Sequence, residues 1–132
     1  MGPAVCVDGM IRSDAPATLA AVTLDCMRRG DALVSLDVPV PVFTDFLDAI
    51  ERGYDPAVPY HNVEHVKTVV QATSRLWYDG GLGHMIRGLV PTEADVEELA
   101  LFVAAAVHDH EHRGVTNDFL IRTTHPYAVT HK

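Results

Sequence analysis

The sequence is short of cysteine and of long apolar runs. Only two cysteines, Cys6 and Cys26, occur among its 132 residues, and their spacing suits neither a zinc finger nor a disulfide framework. A reducing compartment is therefore the default expectation. No apolar run approaches the length of about 18 residues that a membrane span needs. Residues 1–10 also lack the charged start and apolar run of a signal peptide, which favours a cytoplasmic location without establishing it.

Basic residues are scarce as well. Ten Lys and Arg stand against 18 Asp and Glu, which gives a net charge of −8. This balance argues against a nucleic-acid partner, because a duplex binder needs a positive face. A phosphate-bearing substrate would need something other than bulk charge to hold it, and a bound metal is the obvious candidate. The apolar fraction of 48% excludes a disordered tail and is enough for one compact domain or part of a larger one.

The spacing of apolar residues predicts an all-α chain, with no convincing alternating strand. Residues 1–16 are interpreted as a loose lead-in, and the glycine-rich residues 80–88 as a surface connection. Thr92 is expected to cap the helix that follows. From Leu99 to Val107 that helix is apolar nearly all round, which predicts a central, buried position. The predicted helices are residues 17–29, 42–50, 61–77 and 92–108, with short ones after Thr116 or Asn117 and from Pro126.

One cluster of candidate site residues is the segment Tyr60-His61-Asn62-Val63-Glu64-His65. Positions four apart share a helix face, so His61 and His65 are expected to point at one site. Two surface histidines at a helix start are an equally acceptable interpretation of this segment alone. A zinc-protease motif is excluded, because it needs Glu directly after the first His, where this sequence has Asn62.

A second cluster, residues 107–112 with the sequence Val-His-Asp-His-Glu-His, ends the most apolar helix. Ionisable side chains at a buried helix end need partners, because unpaired buried charge is costly. The adjacent His108 and Asp109 can present one nitrogen and one oxygen ligand to a divalent metal, with the carboxylate free to bridge a second ion. The alternative is a solvated, frayed helix terminus.

Together the two clusters are stronger than either alone. They supply three candidate metal ligands, His65, His108 and Asp109. Two further histidines, His61 and His112, suit the roles of acid or hydrogen-bond donor near neutral pH. Such a set suits metal-assisted hydrolysis of a phosphoester.

Two segments resemble the signatures of the class I 3′,5′-cyclic-nucleotide phosphodiesterases. The first is Tyr60-His61-Asn62-x-x-His65, followed by Val69-Val70-Gln71. The second is His108-Asp109-x-x-His112-x-Gly114-x-x-Asn117-x-Phe119-Leu120-Ile121. The resemblance implies an incomplete all-α helical bundle of the cyclic-nucleotide phosphodiesterase type. It also implies a lead-in and helix over residues 1–34 and the N-terminal part of a catalytic domain over residues 35–132.

The resemblance further implies two divalent metal ions, usually zinc and magnesium, and hydrolysis of cyclic AMP or cyclic GMP to the nucleoside 5′-monophosphate. By position, His61 would be the general acid that protonates the 3′ oxygen. The metal ligands would be His65, His108 and Asp109, and Asp109 would bridge both ions.

The other candidates, Tyr60, Asn62 and His112, would contact the substrate or support the ligands. The family's domain is more than twice the length of this chain, and its fourth protein ligand, a later Asp, has no counterpart here. We therefore expect a fragment that is poorly active alone. The alternative is an inactive, truncated binding or regulatory module that retains a partial metal site.

A metal-dependent phosphohydrolase of the broader HD type is a weaker hypothesis, because it leaves residues 60–65 and 117–121 unexplained. The preference for cyclic AMP or cyclic GMP, the identity of the metals and the formation of a homo-oligomer stay open.

Overall fold

The computed structural model describes residues 16–131, so the predicted lead-in lies almost entirely outside the described residues. All regular structure between residues 16 and 131 is helical, which confirms the predicted all-α fold. The helices are α1 (Leu19–Met27), α2 (Ala32–Ser35), α3 (Val40–Glu51), α4 (Val63–Ser74), α5 (Leu82–Leu89), α6 (Ala94–Val107), α7 (Asn117–Arg122) and α8 (Pro126–Thr130), with a π-helical turn (Arg75–Asp79) between α4 and α5. In this part of the chain, no helix has both the length and the apolar character that crossing a membrane requires.

The core forms around α4 and α6. Helix α4 packs against α1 and α6, and α3 contacts the same two helices. Val66 and Val70 recur one turn apart on the buried face of α4 and meet Phe102 of α6, all three without solvent exposure. Each such burial contributes about 1.5–3 kcal/mol. Because α4 and α6 are packed tightly, their ends are held in fixed positions.

Helices α1 and α2 share this core with the segment that follows residue 35. Leu19 is fully buried, and its backbone N–H donates to Oε2 of Glu51 at the end of α3. The division of the chain at residue 35 stays a prediction.

The predicted helix over residues 61–77 exists but begins later. Its first residue is Val63, because the Asn62 side chain accepts hydrogen bonds from the backbone N–H groups of Glu64 and His65 and thereby caps α4. Beyond Ser74 the helix continues into the π-helical turn.

The prediction of a surface connection over residues 80–88 is wrong, since α5 occupies most of that stretch. Gly83 is buried against Trp77, and a Cβ atom at Gly83 would lie 2.8 Å from Cε2 of the indole. Close packing against an aromatic ring therefore outweighs the poor helix propensity of glycine.

The expected capping role of Thr92 is also wrong. Helix α6 begins at Ala94 after Glu93, which makes no side-chain capping bond. The carboxylates of Asp95 and Glu97 in the first turn instead interact favourably with the positive end of the helix dipole. The two later predictions are confirmed, because Thr116 caps α7 through the N–H of Phe119 and α8 begins at Pro126.

Candidate metal centre

The first turn of α4 meets the end of α6 at the candidate site. His65 lies in α4, and His108 follows 43 positions later, directly before Asp109. The Nε2 atoms of the two histidines are 3.4 Å apart. Oδ2 of Asp109 is 3.5 Å from the His65 nitrogen and 3.1 Å from the His108 nitrogen. The structure thus brings together all three predicted ligands as a nearly equilateral triangle of donor atoms.

This triangle has the dimensions of one face of a tetrahedral metal site. Ligands about 2.0–2.1 Å from a tetrahedral ion are about 3.4 Å from one another. The Nδ1–H of His108 donates a 2.9 Å hydrogen bond to the carbonyl oxygen of Ala105, which leaves the lone pair of Nε2 for an ion. Two imidazole nitrogens and one carboxylate oxygen suit zinc and several other divalent ions. The residues present therefore fit a divalent metal.

A second group of donors shares the carboxylate of Asp109. Nδ1 of His61 lies 2.8 Å from Oδ2 of Asp109, and the His61 ring stacks on His112 with centroids 3.9 Å apart. One donor atom from each of these three residues falls within 4.8 Å of the others. Nδ1 of His112 accepts a 3.0 Å hydrogen bond from the N–H of Gly114. Asp109 is therefore the residue common to both groups.

His61 reaches the site from a loop and not from a helix face. It precedes the cap of α4, so the prediction that His61 and His65 share one face of a helix is wrong. Two tight turns place His61 at the site. In the first, the N–H of His61 donates to the carbonyl oxygen of Pro59, and in the second the N–H of Asn62 donates to that of Tyr60, both at 2.8 Å. The two imidazole centroids are nevertheless 6.0 Å apart.

Tyr60 and Asn62 frame the site. The Tyr60 ring lies over His65 with centroids 4.3 Å apart, and its backbone takes a left-handed φ of 67°. The side-chain oxygen of Asn62 caps α4, while its Nδ2 donates to the carbonyl oxygen of Val58 at 3.1 Å. Both residues thus act on the position of His65, whereas direct contact with a substrate stays a prediction.

The carboxylate of Asp109 lies among the imidazole rings of His61, His108 and His112. Its side chain is 13% exposed. Burial alone would raise the pKa of Asp109, but the hydrogen bond from His61 and the charges of His108, His61 and His112 outweigh it and hold the pKa below its usual range. The carboxylate is therefore ionised and ready to bind a cation at neutral pH.

One residue that supports the site was missed from the sequence. The hydroxyl of Tyr54, between α3 and the site loop, donates a 2.8 Å hydrogen bond to the carbonyl oxygen of Ala106 in the last turn of α6. Tyr54 is buried and so ties the end of α6 to the core. Nothing in its sequence spacing indicates this contact, because the two residues are 52 positions apart.

The sequence model of the 3′5′-cyclic nucleotide phosphodiesterase family matches residues 60–132. The chain is 32% identical over 114 residues to the human dual specificity calcium/calmodulin-dependent 3′,5′-cyclic nucleotide phosphodiesterase 1B, an alignment that covers 86% of this chain and 20% of the relative. It is 30% identical over 112 residues to the mouse 1C enzyme of the same description, with coverage of 84% and 15%.

The chain therefore spans at most about a fifth of the length of these relatives. The family match includes both histidine clusters and every residue of the donor triangle. On these grounds the chain belongs to the 3′,5′-cyclic nucleotide phosphodiesterase family.

Proposed function

We propose that residues 35–132 form the N-terminal part of a catalytic domain that hydrolyses 3′,5′-cyclic nucleotides to nucleoside 5′-monophosphates with the help of divalent metal ions. The observation that carries this proposal is the donor triangle of His65, His108 and Asp109, with edges of 3.1, 3.4 and 3.5 Å, beside the imidazole of His61. These three residues are the proposed metal ligands. Zinc and magnesium are the proposed ions, with Asp109 shared between them.

A divalent ion held there would polarise the phosphoryl group and lower the pKa of the attacking water. The chain's own residues supply the remaining functions. They hold the ion, orient the phosphate and provide the proton that the leaving group needs. The acidic chain has no bulk positive charge for this purpose, with a net charge of −8, so the phosphate depends on the local centre.

His61 is the proposed general acid. Its Nδ1–H donates to Asp109, so Nε2 is the atom that carries the proton for the substrate. Water forms the new bond to phosphorus and releases one proton to the solvent, while the bond from phosphorus to the 3′ oxygen breaks. The proton from Nε2 of His61 converts that oxygen to a hydroxyl group, and a proton from the solvent then restores His61. The product retains its phosphate on the 5′ oxygen.

His112 favours this assignment of the proton. Because Nδ1 of His112 accepts a hydrogen bond from Gly114, that nitrogen is not protonated. The two rings stack with centroids 3.9 Å apart. His61, which faces the carboxylate of Asp109, is thus better placed than His112 to donate a proton to the leaving group.

The test is hydrolysis of cyclic AMP and cyclic GMP by the protein made from its complete natural coding sequence, with zinc and magnesium added. Both substrates belong in the assay because the relatives are named as dual specificity enzymes. We expect His61→Ala to lower kcat by about 10²–10⁴ while the metal content stays unchanged. Asp109→Ala should remove both metal and turnover. His84→Ala, an exposed histidine of α5, is the matched control and should leave both unchanged.

Two results would contradict the proposal. If the wild-type protein holds metal at this centre but hydrolyses neither nucleotide, a binding or regulatory role replaces hydrolysis. If His61→Ala retains full turnover, another group is the acid.

A further inference from the structure

The turn that follows α6 contains a residue in an uncommon backbone conformation. Glu111 has a φ of 57°, in the left-handed region that residues with a side chain rarely adopt. Such a conformation persists only where contacts on both sides hold it in place. Glu111 lies between Asp109 and His112, so the shape of this turn determines the direction of both side chains.

Contacts on the C-terminal side of Glu111 belong to the centre already described. His112 stacks on His61 and accepts a hydrogen bond from Gly114. The backbone of the turn is also bonded within itself, because the N–H of His110 donates to the carbonyl oxygen of Val107 and the N–H of His112 to that of Asp109. On the N-terminal side, the side chain of His110 adds a contact with a separate helix.

His110 fastens the N-terminal side of the turn to the end of α3. Its Nδ1–H donates a 3.1 Å hydrogen bond to the carbonyl oxygen of Ile50. The ring occupies the space beside Gly53 where a side chain would otherwise stand, since a Cβ atom on Gly53 would overlap the imidazole. The same ring meets Tyr54 edge to face, with centroids 5.8 Å apart and planes at 82°.

We propose that His110 is a positioning residue, whose imidazole, bonded to Ile50 and seated beside Gly53, sets the turn that directs Asp109 and His112 into the metal centre. This inference rests on the proposed function of that centre. His110 is an exposed residue, and the proposal gives it no step in the chemistry, because its Nδ1–H is bonded to Ile50 and its ring packs beside Gly53. Its effect on the site passes through the backbone of residues 109–112.

The first test compares the Co²⁺ affinity of the folded wild-type protein with that of two variants. His110→Leu fills a similar space but donates no hydrogen bond, and we expect about a tenfold weaker affinity, the lower end of the effect of removing support behind a ligand. His110→Asn presents an amide N–H toward Ile50 and should return the affinity to within about threefold of the wild type. His84→Leu is the control for loss of an exposed histidine.

A second pair of variants displaces the ring without changing it. Gly53→Ala places a methyl group where the imidazole lies, whereas Gly88→Ala in α5 adds a methyl group with no other atom within 4 Å. We expect Gly53→Ala to weaken Co²⁺ binding as much as His110→Leu does, and Gly88→Ala to leave it unchanged. The double variant Gly53→Ala with His110→Leu should lose no more than either alone, because both act on one contact.

Amide hydrogen exchange in the metal-free protein separates this inference from the proposed function. We expect the amides of residues 110–113 to exchange about tenfold faster in His110→Leu, with core amides of α4 unchanged. If the wild-type protein binds no Co²⁺, the proposed function fails, and exchange alone decides the role of His110. If His110→Leu matches the wild type in exchange at residues 110–113 or in Co²⁺ affinity, His110 is not a positioning residue.

Discussion

Nε1 of Trp77 donates a 3.0 Å hydrogen bond to Oε2 of Glu98, a side chain with no solvent exposure. The hydroxyl of Tyr78 donates to the other oxygen at 2.6 Å, and Arg87 pairs with Oε2 at 2.9 Å. Trp77 and Tyr78 are neighbours in sequence, and both reach one carboxylate from the π-helical turn. Glu98 therefore joins the turn, α5 and α6 at a single buried point.

Removal of this carboxylate should destabilise the fold. Glu98→Ala leaves the indole N–H of Trp77 buried without an acceptor, whereas the partly exposed Arg87 keeps its 2.8 Å ion pair with Asp95. We expect the free energy of unfolding to fall by about 2–3 kcal/mol, the cost of a buried hydrogen-bond donor that is left without its acceptor. Urea unfolding of the metal-free protein measures the change.

The matched control is Glu97→Ala, one position earlier and exposed. It should change the free energy of unfolding by less than about 0.5 kcal/mol. Equal effects of the two substitutions would show that the Glu98 network contributes nothing specific.

Asn62 has two contacts whose contributions can be separated. Asn62→Ala removes both the cap of α4 and the bond to Val58, and we expect a loss of about 1 kcal/mol or more in the free energy of unfolding. Asn62→Asp keeps the capping oxygen and adds a favourable charge at the helix start, so it should retain most of the stability. If Asn62→Asp lowers the free energy of unfolding as much as Asn62→Ala does, the hydrogen bond to Val58 contributes more than the cap.

Ionisation of Tyr54 should lower the free energy of unfolding at alkaline pH. Burial raises the pKa of Tyr54 to about 12, and the nearby charge of Asp109 acts in the same direction. Because the unfolded tyrosine ionises near pH 10, the contribution is fully present below that pH and is lost as the pH rises through about 12. For the metal-free wild type we expect a loss of about 1 kcal/mol from this group by about pH 11.

The comparison that isolates this contribution is Tyr54→Phe against Tyr127→Phe. Tyr54→Phe should lose less stability than the wild type between about pH 9 and 11 in urea unfolding, and Tyr127→Phe, which changes an exposed ring, is the control variant. Part of the alkaline loss should persist in Tyr54→Phe, because burial and the hydrogen bond to Glu98 also raise the pKa of Tyr78. Identical slopes for both variants would contradict the assignment to Tyr54.

Much of the fold could be predicted from local sequence patterns. The apolar spacing of α4 and the nearly continuous apolar run of α6 predict two buried helices, because a face of this kind must pack against something. Helix α5 could not be predicted, since its glycines suggest a loop until the buried indole of Trp77 is known. The role of Glu98 was equally invisible, because its partners come from separate elements.

The residues of the centre could also be named from the sequence, whereas their geometry could not. Two histidine clusters in the correct order indicate the donors, and the structure brings His65, His108 and Asp109 together. The start of α4 depends on hydrogen bonds to one side chain, Asn62, so spacing alone placed His61 on the helix. The contact of His110 with α3 depends on the space beside Gly53, which no spacing rule reveals.

Metal binding should stabilise the folded protein through the donor triangle and not through His61. At a free ion concentration of about 100 times Kd, binding to the native state adds about 2.7 kcal/mol to the free energy of unfolding. We expect zinc to produce a gain of this size in the wild type, in His61→Ala and in the control His84→Ala. His65→Ala should lose the gain, because two donors of the triangle cannot hold the ion as three do. Thermal unfolding with and without a chelator measures each difference. The opposite result would be stabilisation by zinc that persists in His65→Ala and is lost in His61→Ala. It would place the metal in the group formed by His61, Asp109 and His112, and His61 would then be a ligand instead of the acid.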